Sequence, residues 1–193
     1  MMEILLKSTG LVALGEIGDK TQLLALLLAA RFRKPIPIIL GILVATLANH
    51  TAAGALGAWV RDVLGPDFLR WGVGLSFLAL AAWTLKPDEA DEGEARPLDR
   101  YGAFVATTVT FFLAEIGDKT QIATIALAAH YENLPMVVAG TTIGMLLADV
   151  PAVFLGNLAA DRIPFRLVRG IAAALFAVMG AGALLGGAVS FNL

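Results

Sequence analysis

Apolar residues run along this chain in six long blocks separated by short polar stretches, at about 4 to 30, 36 to 60, 68 to 86, 101 to 129, 135 to 158 and 165 to 189. A helix that crosses the hydrocarbon core of a bilayer needs about 20 predominantly apolar residues. The pattern therefore predicts an all-α integral membrane protein with six transmembrane helices. Lys7 ahead of an apolar run resembles the start of a signal peptide, but that run holds Glu16, Asp19 and Lys20 and continues to about Ala30, so it reads as a retained first helix. The stretch 87–100 carries Pro87, Pro97 and the acids Asp88, Glu89, Asp91, Glu92, Glu94 and Asp99. It is too polar to enter lipid and reads as a solvated linker.

Shifting the sequence by 99 residues lays Glu16–Gln22 on Glu115–Gln121 with identity at every position, and Leu28-Ala29-Ala30 on Leu127-Ala128-Ala129. The same shift pairs Gly41 with Gly140 and Gly57 with Gly156, whereas Asn49-His50 falls on Ala148-Asp149. An internal duplication follows, with 1–86 as the first three-helix repeat, 87–100 as an acidic linker and 101–193 as the second repeat. An odd number of helices per repeat makes the second enter the membrane from the opposite side. Inverted repeats of this kind characterise secondary transporters, whose substrates sit near the midplane at the repeat interface.

Composition agrees with a membrane location: the 193 residues are 58% hydrophobic and 16% charged. The net charge of -2 includes no basic patch for nucleic acid, and the absence of cysteine excludes disulfides and thiolate chemistry. Lysines and arginines predict orientation. Arg31, Arg33, Lys34, Lys86, Arg96, Arg100, Arg162, Arg166 and Arg169 fall on one side, against Lys7, Arg61 and Arg70 on the other. The linker is expected in the cytoplasm and both termini outside, in a multi-pass protein of the cytoplasmic membrane. Trp59, Trp71 and Tyr131 fall near span ends, where an interfacial belt belongs.

The chemistry lies in the repeated segment. Glu16 and Glu115 fall near the middle of the first and fourth spans, where an ionisable group costs about 2.5 to 3.5 kcal/mol and marks an ion or proton pathway. On a continuous helix at 100° per residue, Glu16, Asp19, Lys20 and Gln22 share an arc of about 160°. Gly18 and Gly117 would then let a second helix approach that polar face. The inversion would place Asp19 and Asp118 on opposite sides of the paired glutamates, as a ladder through the membrane. Carboxylate and amide oxygens suit hard divalent cations, Mn²⁺ or Ca²⁺ rather than Cu or Zn. Glu16, Asp19, Gln22, Glu115, Asp118 and Gln121 are the expected metal ligands.

Four carboxylates and two lysines leave a formal charge of -2 on the two motifs, which one divalent cation or two protons would neutralise. Burial and like charges favour a protonated carboxylate and a bound cation favours the ionised form, so metal and protons should compete. Asn49, Asp149, Lys20 and Lys119 are expected as secondary ligands or proton relays, and His50 as a packing residue before a ligand. Asn49 reads equally as an interhelical hydrogen-bonding residue. A purely structural reading has Lys20 and Lys119 bridging the glutamates four residues earlier. Thr21 and Thr120 read as bonding their own helices.

With both motifs matching in full, as Glu16-Ile17-Gly18-Asp19-Lys20-Thr21 and Glu115-Ile116-Gly117-Asp118-Lys119-Thr120, the chain resembles the membrane cation/proton exchangers defined by two E-x-G-D-[KR]-[TS] motifs. That family includes bacterial manganese exporters and Golgi and chloroplast Mn²⁺/Ca²⁺ transporters. The resemblance implies export of Mn²⁺, or of Ca²⁺, from the cytosol against protons, with the metal as substrate, no cofactor and the motif acids as ligands. Partners would be these ions and the lipid bilayer, and a homo-oligomer stays open. Two rival readings are a small-molecule exporter of the amino-acid type, which shares the six-helix plan, and an intramembrane aspartyl protease built on Asp19 and Asp118. The protease has no use for two further glutamates and two lysines.

Overall fold

The computed structural model describes residues 1–86, 100–155 and 165–185. The linker expected at 87–100, apart from Arg100, and the ends of the fifth and sixth blocks lie outside the described residues. Those residues form eight helices: α1 Met2–Glu16, α2 Lys20–Phe32, α3 Pro35–Val63, α4 Pro66–Thr84, α5 Gly102–Glu115, α6 Lys119–His130, α7 Leu134–Leu155 and α8 Phe165–Leu184. Pro35 and Pro66 open α3 and α4, where a fixed φ and a missing N–H cost nothing. Arg33, with φ 51°, closes α2 in the left-handed region and returns its N–H to the Ala29 carbonyl. Pro35–Val63, Leu134–Phe154 and Arg166–Leu184 are long and apolar enough to cross a membrane, and Gly102–Glu115 is a shorter apolar helix. Leu40, Val44 and Leu47 leave an apolar face of α3 exposed, as lipid contact requires.

The blocks read as continuous helices at 4–30 and 101–129 are each two helices. The cause is local. Gly18 and Gly117 adopt φ of 82° and 75°, a region that costs a residue with a side chain about 1–2 kcal/mol. Ile17 and Ile116 before them are extended. Asp19 and Asp118 then occupy the N-cap positions of α2 and α6, and the Asp19 carboxylate accepts the Lys20 N–H at 2.8 Å.

Each long helix packs on the broken helix of the other half: α3 lies on α5 and α6, and α7 on α1 and α2. Glycines make the approach close. A Cβ on Gly41 would come within 2.8 Å of the Thr107 Cβ, and one on Gly140 within 2.7 Å of the Ser8 Cβ. Ser8 and Thr107 are themselves 99 residues apart, so the same contact is built twice. Two apolar cores result. One joins α1, α4, α6, α8 and the start of α7 around Leu11, Phe77, Leu127 and Phe176, and the other joins α2, α3, α5 and the end of α7 around Leu28, Ile42, Phe111 and Val153. The two breaks lie between these cores.

Candidate cation site at the paired helix breaks

Because each break ends one helix and begins another, its residues leave the helical arc expected of them and converge. Glu16, the last residue of α1, and the two N-cap aspartates are all buried. One carboxylate oxygen from each of Glu16, Asp19 and Asp118 lies within 4.8 Å of the others. The aspartates thus share a cluster with Glu16 instead of standing on opposite sides of a glutamate pair. The lysines join the repeats rather than running along one helix. Lys119 Nζ is 3.0 Å from Asp19 Oδ1, with both side chains buried, and Lys20 Nζ is 3.8 Å from Asp118 Oδ1.

The glutamines stitch the breaks. Gln22 Oε1 accepts the Gly18 N–H at 2.9 Å, and Gln121 Oε1 accepts the Gly117 N–H at 2.8 Å. Their amide groups reach the long helix on the other side: Gln22 Nε2 donates to the Ala148 carbonyl at 3.0 Å, and Gln121 Nε2 to Asn49 Oδ1 at 3.4 Å. Ala148 and Asn49 are equivalent positions of the duplication, so the glutamines reach the same place on each long helix, a backbone carbonyl in one half and a side-chain amide in the other.

At the glutamates the symmetry fails. Thr46 donates to Glu115 Oε1 at 2.8 Å, and Asn49 Nδ2 to Glu115 Oε2 at 3.2 Å and to the Phe112 carbonyl at 2.9 Å. Asn49 is therefore an interhelical hydrogen-bonding residue in this structure. The positions equivalent to Thr46 and Asn49 are Met145 and Ala148, which carry no side-chain N–H or O–H donor. Both oxygens of Glu16, though buried, have no hydrogen-bond donor among the described residues. Asp149 follows Ala148, is fully buried, and has no donor on either oxygen among the described residues. His50 is buried without a hydrogen-bond partner among the described residues.

Thr46 was missed in the sequence, although its place one helical turn before Asn49 sets both on one face of α3. Arg169 was missed as well: counted among the cytoplasmic cations, it reaches from α8 to the Gly18 carbonyl at 3.4 Å. The breaks carried the clearest overlooked signal, a glycine followed directly by an N-cap residue.

Carboxylates buried where two interrupted helices meet, with backbone groups freed by the breaks, are the arrangement of a secondary ion transporter. The sequence agrees: the chain belongs to the divalent cation/proton antiporter GDT1 family, whose model matches residues 4–92 and 103–190. It is 54% identical over 180 residues to a Vibrio cholerae protein named "Putative manganese exporter", covering 93% of this chain and 89% of that one. A GDT1-like protein of Synechocystis is 31% identical, with 88% of this chain and 92% of the relative covered. GDT1-like protein 3 of Oryza sativa is 28% identical, with 91% and 71% covered. No solved structure matches the chain.

Proposed function

We propose that this protein exports Mn²⁺ from the cytosol across the cytoplasmic membrane in exchange for protons, with Ca²⁺ as a second substrate. The observation that carries the proposal is the convergence of Glu16, Asp19 and Asp118, buried and within 4.8 Å of one another, beside a Glu16 carboxylate with no donor among the described residues. Hard oxygen ligands in that number suit Mn²⁺ or Ca²⁺, and the Vibrio cholerae relative's name favours manganese. Glu115 completes the charge of the two motifs. Gln22 and Gln121 hold the breaks in shape and have a second lone pair to offer a cation. Lys20, Lys119 and Asp149 adjust the charge around it. An amino-acid exporter would need its cations free to meet a carboxylate, whereas both motif lysines are paired with aspartates.

The proposed topology has six membrane crossings in two inverted repeats, with α1–α2 and α5–α6 each crossing once as a broken pair. Lys7, Arg61 and Arg70 lie at one end of the bundle, where Arg61 donates to the Ala128 and Tyr131 carbonyls. That end faces outside with the termini, and the linker 87–100 faces the cytoplasm. One divalent cation or two protons neutralise the formal charge of the motifs, so exchange is electroneutral at one Mn²⁺ per two protons.

The test is Mn²⁺ flux in proteoliposomes with and without an imposed pH gradient, with Ca²⁺ as competitor. Flux driven by a counter-gradient of protons, and apparent Mn²⁺ affinity that falls as pH falls, are expected. Neutralising Asp88 or Glu92 in the linker should leave the flux unchanged. A folded, reconstituted protein that moves neither cation would defeat the proposal.

A further inference from the structure

The duplication pairs Arg70 with Arg169 and Phe77 with Phe176, one residue of each pair on α4 and one on α8. These two helices form a closely packed unit. Phe77 and Phe176 stack at 6.2 Å between ring centroids, and a Cβ on Gly180 would lie 2.8 Å from the Gly74 carbonyl. Phe77 and Phe176 are equivalent positions, but the unit does not sit evenly on the two halves. It packs on α1 and α6, whereas among the described residues α4 makes no comparable contact with α5, nor α8 with α2. Lys7 and Tyr131 line one cavity, so α1 and α6 share the end of the bundle that holds Met1; α2 and α5 lie together toward the other end.

The two motifs feel this difference. On the first, Phe176 lies 3.6 Å from where a Gly15 Cβ would be, Gly18 is buried, and Arg169 Nη2 meets the Gly18 carbonyl at 3.4 Å. On the second, Ile116 and Gly117 are exposed, and a Cβ on Gly117 would meet nothing within 4 Å. Arg70 is exposed at the head of α4, with its guanidinium 6.0 Å from the Trp71 ring centroid.

We infer that Arg169 and Arg70 are alternating latches of the transport cycle: Arg169 holds the α4–α8 unit on the first helix break in this conformation, and Arg70 holds it on the second break, at the Gly117 carbonyl, in the opposite one. The unit rocks from α1 and α6 onto α2 and α5, and each arginine is a positioning residue for the break it engages. This rests on the exchanger reading, and wild-type flux serves as the control that separates the two.

The experiment compares Mn²⁺ flux in proteoliposomes of wild type, Arg169→Ala, Arg70→Ala and the two Lys variants. Each Ala variant should lose about tenfold or more in flux, the value of one charged hydrogen bond. Each Lys variant should recover most of it, since a single carbonyl needs only one donor. Arg70 discriminates, because among the described residues its contact is with the Trp71 ring and not with either motif. Wild-type flux in Arg70→Ala or in Arg169→Ala would overturn the latch, as would an Arg70→Lys protein as slow as Arg70→Ala. A wild type that moves no Mn²⁺ would instead strike the exchanger reading itself.

Discussion

The two motif copies have the same seven residues and different surroundings. Glu115 is held by Thr46 and Asn49, whereas Glu16 has no donor among the described residues, and the positions equivalent to Thr46 and Asn49 in the other half are Met145 and Ala148. A buried carboxylate without a donor pays its desolvation in full, and an arrangement that keeps one is suited to a cation or proton that arrives later. The duplicated motifs are identical, and the difference between their glutamates comes from the second helix of each half, which has diverged. On the proposed exchanger reading, Glu115 is the fixed glutamate and Glu16 the one left to bind.

The largest effect that would sharpen the comparison is at the lysines. Lys119 and Asp19 form a buried pair at 3.0 Å, while Lys20, 31% exposed, is 3.8 Å from Asp118. Lys119→Met should destabilise the protein by about 3–5 kcal/mol by stranding a buried charge, and Lys20→Met by less than about 1 kcal/mol. Denaturant unfolding in detergent reads both, and equal losses would break the asymmetry. Next come the breaks. Gly117→Ala has open space around it, so it should cost about 1–2 kcal/mol from its positive φ alone, and the buried Gly18 at least as much; a smaller loss at either would show that its break relaxes into helix. The smallest effect is Thr46→Val, which removes one donor from Glu115 and should cost about 1 kcal/mol, with Mn²⁺ affinity reduced less than by any change at Glu16. A Thr46→Val protein that binds Mn²⁺ as poorly as a Glu16 variant would remove the division of labour.

Much of this was legible in the sequence. Hydropathy marked the helical blocks, and the exact repeat of Glu16–Gln22 at Glu115–Gln121 marked the candidate site and four of its acids. The breaks were not read, because the apolar residues on both sides of Gly18 continue one another and hydropathy does not record φ. That omission carried the rest with it. On a continuous helix Lys20 points back toward Glu16, whereas across a break it meets Asp118. The inequality of the glutamates depends on Thr46 and Asn49 of α3 docking on the other repeat, a tertiary contact that no local pattern contains. The Arg70–Arg169 equivalence lay in the sequence throughout, but only the seating of α4 and α8 gives it meaning.

The most direct test of the central claim, a single cation site centred on Glu16, is calorimetric titration of the purified protein with Mn²⁺, in wild type, Glu16→Gln and Glu115→Gln. One ion per chain is expected in wild type, with affinity lowered by about 100-fold or more in Glu16→Gln, about 2.7 kcal/mol, and by about tenfold in Glu115→Gln, where Thr46 and Asn49 still hold the side chain. Two ions per chain, or equal losses in the two variants, would contradict it.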